Sequence, residues 1–383
     1  MKIIAWYLPQ FHETLENNEW WGKGFTDWVN VKKGKKIEEG QEQPRIPLNN
    51  NYYNLLDDNI KKWQVDLAKK YGVYGFCMHH YWFGGKLLLE QPAEQFLKNK
   101  ELDLPFCFNW ANEHWTTSWS GGTKVLIKQE YGQEADWIEH FNYLLPFFLD
   151  ERYIKEEGKP LFVIFIPQLI DCLDDMLACW ERLAKENGFP GLKIAYANKG
   201  QNSSEISSKT KKLFDYCIDY QPAVVFSDLE KCGKRGAYGI LRTIWRATGK
   251  KILTAFHIAP PNIPDKLRKD SYDMIWKTIL KRKPEGENNV PGAIVNWDNT
   301  ARKGKRGSYF SDFSVEKFYK YMIEMIKKTK NEYKQDKIFL FSWNEWAEGG
   351  YLEPDEKYGY GVLEALRRAL EETNELPQYP CDK

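Results

Sequence analysis

The sequence has no Cys-x-x-Cys pair, no stretch of eighteen apolar residues, no block of five or more like charges and no internal repeat. Its seven cysteines (Cys77, Cys107, Cys172, Cys179, Cys217, Cys232 and Cys381) are odd in number. They indicate neither a zinc site nor a disulfide framework. Cys77, Cys107 and Cys217 sit in apolar strand-like runs, which predicts buried free thiols in a reducing compartment. Without a long apolar run there is no membrane-spanning helix. The apolar run in Met1 to Pro9 is too short for a signal peptide, so the expected location is the cytoplasm. Lys+Arg (55) and Asp+Glu (54) nearly cancel, giving no electrostatic case for nucleic acid or an anionic membrane as partner. A Gly-x-Ser-x-Gly nucleophile context is missing. Leu8-Pro9-Gln10-Phe11-His12 stands where a dinucleotide-binding fold needs a glycine loop. No metal and no cofactor is expected.

What is abundant is aromatic: 15% of residues, with 16 Trp and 22 Tyr, many of them at predicted strand ends. Core packing accounts for most, but large aromatic faces also stack on sugar rings. Short apolar runs predict strands over Lys2 to Leu8, Tyr74 to Trp82, Pro105 to Asn112, Pro160 to Ile166, Leu192 to Asn198, Phe214 to Gln221, Ala293 to Asp298 and Lys337 to Asn344. Helical patterns follow each, over about Asp57 to Tyr71, Glu90 to Asn99, Ala135 to Leu149, Leu169 to Asn187, Glu205 to Lys212, Ser271 to Lys281, Ser314 to Lys330 and Gly359 to Thr373. Near-continuously apolar strands alternating with amphipathic helices imply parallel pairing and right-handed crossovers. Eight such units in 383 residues predict a single α/β domain, a (β/α)₈ barrel of the TIM type with long loops. Loop insertions are expected at about 9–56 and 223–270. The first carries many aromatics and should form an ordered lid-like wall of the cleft. In the second, Gly236 to Gly249 suggests an irregular subdomain and Pro260 to Pro264 a rigid spacer.

In such a barrel, functional residues sit at the C-terminal strand ends. There the chain reads Asn344-Glu345-Trp346-Ala347-Glu348-Gly349-Gly350 after the last strand. Residues three apart on a strand point to opposite faces, so Glu345 and Glu348 serve one site only if the chain turns, which the glycines allow. A helical turn would bring their Cβ atoms to about 5–6 Å, close to the roughly 5–5.5 Å carboxyl separation of retaining glycosidases. Glu345 and Glu348 are therefore the catalytic candidates. Candidate substrate-binding residues from the other strand ends are Tyr7, Gln10, His12, Trp28, His80, Tyr81, Trp82, Asn109, Trp110, Asn112, Glu113, Trp115, Tyr220, Trp297, Asp298, Asn344 and Trp346. Of adjacent His79 and His80, at most one can line the barrel mouth. Asn112-Glu113 has the form of the acid/base pair of a large clan of retaining glycosidases, but on strand three instead of four, which makes Glu113 a rival acid.

The runs Tyr7 to His12, Trp20 to Trp28, Tyr74 to Phe83, Asn109 to Glu113, Trp297 to Thr300 and Asn344 to Gly349 together resemble the WbsX-like proteins, distant relatives of glycoside hydrolase family 99, the endo-α-mannosidases. The WbsX-like group carries a glycosyltransferase or lipopolysaccharide-biosynthesis label, and the resemblance spans essentially the whole chain. It implies a retaining, metal-independent glycosidase acting on an oligosaccharide or polysaccharide. In family 99, one glutamate deprotonates the sugar 2-hydroxyl, which attacks the anomeric carbon to give a 1,2-anhydro sugar while a second protonates the leaving oxygen. By motif position, the resemblance implies Glu345 as base and Glu348 as acid. Ala347 stands where family 99 commonly has His. The rival expectation is a glycosyltransferase of O-antigen or capsule assembly. Such an enzyme would normally show an Asp-x-Asp motif at a strand end, whereas Asp174-Asp175 falls within a predicted helix.

Overall fold

The computed structural model describes residues 1–117, 124–200, 206–232 and 267–379. Strands β1 (Lys2–Tyr7), β2 (Gly75–Phe83), β3 (Phe106–Trp110), β4 (Lys159–Ile164), β5 (Lys193–Asn198) and β6 (Tyr216–Asp219) pair in chain order, every pairing parallel. β7 comes as two short halves, Asn289–Val290 on β6 and Gly292–Ile294 on β8 (Lys337–Phe341), and β8 returns to β1. Pro291, which has no N–H to give a ladder, separates the halves. The result is the (β/α)₈ barrel expected from the alternation of apolar strands and amphipathic helices.

The helices form where caps and apolar stripes coincide. Asp58–Lys70 starts with the Asp57 carboxylate accepting from the Asn59 N–H, ends with Lys69 and Lys70 in its last turn, and buries Val65, Leu67 and Ala68. Val315–Lys328 is capped by Ser314 and buries Phe318, Met322 and Ile326. Strand parity sorts the side chains. On β2, His79 contacts Trp6 and Phe165 in the barrel interior, whereas His80 faces the helix layer against His140 of Glu134–Leu149.

The structure differs from expectation in four places. Strand seven begins earlier than Ala293 and ends at Ile294, leaving Trp297 and Asp298 in the following loop. The helix expected over Glu205 to Lys212 is only Ser208–Lys211. The insertion expected from 223 opens instead with a helix, Ala223–Lys231, packed directly after β6. Its far end, Arg268–Ser271, forms a parallel pair with Ser308–Ser311 that the charged sequence Arg268-Lys269-Asp270 did not announce. Gly236 to Gly249 and Pro260 to Pro264 lie outside the described residues. Cys77 and Cys107 are buried, but Cys217 is only half-buried; the six described cysteines are free thiols. Among the described residues no helix is long and apolar enough to cross a membrane.

Candidate active site

After β8 the chain does turn. Asn344–Glu345 pairs antiparallel with Gly350–Tyr351, and Trp346–Glu348 between them forms a 3₁₀ turn closed by the Gly349 N–H donating to the Trp346 carbonyl at 3.1 Å. Gly349 sits at φ +66°, and a Cβ there would lie 2.9 Å from the Asp298 amide nitrogen, so both conformation and space call for glycine. That close approach lets the Asp298 N–H donate to the Glu348 carbonyl at 2.7 Å. The other end of the turn is fixed by the Glu345 N–H donating to Ser342 Oγ at 2.8 Å.

Glu345 and Glu348 both line a cavity of about 510 Å³ at the C-terminal mouth of the barrel. The first long loop contributes Gln10, Asn17, Phe25 and Asp27; the ends of β2 and β3 contribute His79, Tyr81, Glu113, His114 and Trp115; Phe165 and Tyr220 complete the far wall. One guanidinium organises the acids. Arg302 Nη2 lies 2.8 Å from Asp27 Oδ2 and 3.0 Å from Glu345 Oε1, while Nη1 lies 3.3 Å from Glu348 Oε1. Asp27 also accepts from Gln10 Nε2 at 3.0 Å and Asn30 Nδ2 at 2.8 Å. The Glu345 contact is ionic and not an aligned hydrogen bond, since Oε1 has no hydrogen-bond partner.

Burial raises the Glu345 carboxyl well above the usual range, against the opposing pull of Arg302, and the neighbouring Glu348 and Asp27 carboxylates push the same way. Its side chain is 4% exposed, compared with 21% for Glu348, so Glu348 is the one nearer solvent. Burial, with Glu345 beside Tyr81 and both glutamates beside Tyr220, raises the two phenols and keeps them protonated as donors. His79 is held neutral, its imidazole pushed down to about 3 by burial and the charge of Lys199.

Of the residues predicted to bind substrate, Gln10, Tyr81, Glu113, Trp115 and Tyr220 line the cavity. The others do not. Tyr7 donates from its buried hydroxyl to Gln64 Oε1 at 2.9 Å, and burial holds His12 down to about 4. Trp28 donates to the Tyr53 carbonyl at 2.7 Å, and Trp110 to the Trp82 carbonyl at 3.2 Å. Trp82 stacks on His140 with ring centroids 4.6 Å apart; His80 Nε2 lies 2.8 Å from His140 Nε2, and both histidines face away from the mouth. Asn109 is fully buried within the barrel. Asn112 bridges to Ile166 by accepting from its N–H at 2.7 Å and donating to its carbonyl at 2.8 Å. Trp297 donates to Ser308 Oγ at 2.9 Å, and Asp298 accepts from Gln41 and Thr300. Asn344 ties β8 to β1 by exchanging hydrogen bonds with the Leu8 backbone at 2.8 and 3.0 Å. Trp346 stacks on Tyr351 and donates to Glu353 Oε2 at 2.6 Å. These indoles and amides hold the layer beneath the site. Glu353, itself pushed up to about 7 by burial, also accepts from Tyr53 and Gln64, so it anchors that layer below the turn.

The family model Glycosyltransferase WbsX matches residues 3–366. The chain belongs to the WbsX family. Two curated relatives, both uncharacterized WxcX proteins of Xanthomonas campestris pv. campestris (strains B100 and ATCC 33913), are 29% identical over 99% of this chain and 51% of their own length. The chain thus spans about half the length of the curated relatives it matches. Among solved structures, the GH99 endo-alpha-mannosidase from Bacteroides thetaiotaomicron superposes with TM-score 0.54 at 13% identity, covering 98% of each chain. A glycoside hydrolase-like protein gives 0.53 at 12% identity over 88% of this chain and 91% of its own. The likeness to both is one of fold. Several cleft residues of this WbsX chain are absent from the candidates chosen from sequence: Asp27, Arg302, Phe25 and Phe165, together with His114 and with His79, which was weighed against His80 and passed over. Asp27 and Arg302 fell inside runs that drew notice for Trp28 and Asp298 instead. The available signal was chemical: two acids on one turn need a cation, and Arg302 follows the strand-seven end.

Proposed function

We propose that this domain is a carbohydrate-active enzyme, a retaining glycoside hydrolase acting by substrate assistance, with Glu345 and Glu348 as the catalytic pair and an endo-acting, α-mannoside-type cleavage of a bacterial polysaccharide as its reaction. The observation that carries the reading is the meeting of both glutamates, from one turn, at one guanidinium in the cleft. Neighbouring carboxylates resist ionising together, so such a pair tends to hold one proton between them. That supplies one base and one acid without a protein nucleophile. By motif position Glu345 takes the proton of the sugar 2-hydroxyl, and Arg302 favours the ionised form this needs. Glu348, nearer solvent, is suited to protonate the departing oxygen and later to activate water. Trp115 offers an indole face and Tyr81 and Tyr220 donors to the sugar hydroxyls.

The burial of Glu345 favours a second assignment with the roles exchanged, because burial places the shared proton there. Aryl glycosides of graded leaving-group acidity separate the two. Glu348→Gln should recover turnover as the leaving group improves, while Glu345→Gln stays inactive; the reverse pattern exchanges the roles. The reaction class is tested by incubating the protein with host polysaccharide with and without nucleotide sugars. New reducing ends lost in both variants support hydrolysis, and turnover that requires a nucleotide donor means a glycosyltransferase, the function the family's name carries.

A further inference from the structure

The cleft is acidic, with Asp27, Glu113, Glu345 and Glu348 around it, and its guanidinium is engaged by three of those four. Directly after β5 stands a second cation of different character. The Lys199 ammonium lies on the face of Phe165, 3.4 Å from the ring centroid, and makes no ion pair among the described residues. Glu113 favours its charged form from beyond ion-pair distance. Next to it His79, 9% exposed, lines the cavity; its Nδ1 is sealed in the interior without a hydrogen-bond partner, which leaves Nε2 as the nitrogen on the cavity side. The charge that bears on His79 is that of Lys199, and both residues meet Phe165. A part-buried ammonium without a carboxylate and an imidazole whose cavity-side Nε2 makes no hydrogen bond among the described residues are each left without a partner when the cleft is empty. Both are relieved by the same ligand, an anion that accepts from each.

We infer that the strand-five side of the cleft, built by Lys199, His79 and Phe165, is a subsite for an anionic substituent of the bound sugar, a carboxylate or a phosphate. This rests on the carbohydrate reading and deepens it to the substrate class: the glycan carries acidic residues. Lys199 supplies the charge and His79 an N–H from its neutral ring. The Phe165 ring carries the ammonium on its face and itself lines the cleft. Lys199 follows β5, which β6 and β7 separate from β8 and the turn that carries the glutamate pair, whose charge would repel an anion.

The test is isothermal calorimetry at low ionic strength with sugars paired by charge: methyl glucuronide against methyl glucoside, galacturonate against galactose, and mannose 6-phosphate against mannose. At least one anionic member should bind about tenfold or more tighter than its neutral partner, the worth of one or two charge-assisted hydrogen bonds. The advantage should vanish in Lys199→Gln and persist in Lys199→Arg, with both variants checked for wild-type melting. Which arm shows it, uronate or phosphate, identifies the anion. Equal binding within every pair, or an advantage unchanged in Lys199→Gln, overturns the subsite while leaving the carbohydrate reading intact. Failure of all six sugars to bind overturns both.

Discussion

Replacing Arg302 by methionine removes the cation that Asp27, Glu345 and Glu348 share and leaves three carboxylates facing one another. Arg302, Asp27 and Glu345 have side chains 10%, 7% and 4% exposed, so solvent screens little of this. Removing one partner of a buried pair costs about 3–5 kcal/mol. For 383 residues, an unfolding entropy of about 2.1 cal/mol/K per residue sums to about 0.8 kcal/mol/K, so the melting temperature should fall by about 4–6 °C. The sign of the pH dependence follows from the same contacts. Arg302 opposes the rise of the Glu345 carboxyl, so its loss raises that group further and favours its protonation. Lowering the pH protonates Glu345, removes its uncompensated charge and should narrow the gap between variant and wild type. Calorimetric scans at pH 5 and pH 7.5 measure both effects, and adding Glu345→Gln to the Met variant should recover part of the loss at the higher pH. A fall of less than about 1 °C, or a gap independent of pH, would refute the claim that charge holds these three acids together.

Glu345→Gln alone should melt higher than wild type at pH 7.5 while losing activity. Its folded value lies above the ordinary 4.5, so the stability it contributes is full below that value and is lost as pH rises; a rise of about 1–3 °C that disappears near pH 4 is expected, and a lower melting point at pH 7.5 would contradict it. The His80–His140 pair gives the opposite slope. Both imidazoles are pushed down, His80 to about 3, so stability present above about 6.5 should fall by up to about 1.4 kcal/mol per pH unit per histidine on acidification; denaturant titrations of His140→Phe should show a shallower acid slope. Finally, Lys199 is pushed down to about 8 by burial, so the binding advantage of an anionic sugar should fade between about pH 7 and 9 instead of persisting toward 10 as for an ordinary lysine. Calorimetry across that interval reads it directly.

The barrel was legible because parallel strands covered on both faces are written as unbroken apolar runs, and all nine residues of β2 are indeed buried. The turn that carries Glu345 and Glu348 was legible for a similar reason: an apolar strand running into two acids and two glycines has few ways to fold. Strand phase was not. His79 and His80 are chemically identical in sequence, and only the register of β2 against β1 and β3 decides which one enters the cleft. Register depends on the whole sheet. Aromatics misled for a different reason. An indole at a strand end suits a sugar platform and also suits the layer between barrel and loops, where its N–H finds a carbonyl, hydroxyl or carboxylate oxygen; Trp28, Trp110, Trp297 and Trp346 all took the second place.

Arg302 marks the boundary of what local reading reaches. Its contact with Asp27 joins positions 275 residues apart, and no periodicity or spacing encodes such a pairing. Charge balance does constrain it. Glu345 is buried beside the Glu348 and Asp27 carboxylates, and such a buried acid without a cation would leave the turn unstable at neutral pH. A fold that places Glu345 and Glu348 at the barrel mouth therefore requires an arginine or lysine from a neighbouring strand end, and the loop after β7 is the neighbour of β8. Once the barrel is assumed, the short list from that loop is Arg302, Lys303, Lys305 and Arg306, all within the run that follows Trp297-Asp298. The structure selects the first, because Asp298 and Thr300 are tied down by Gln41 and fix the segment that leads to Arg302.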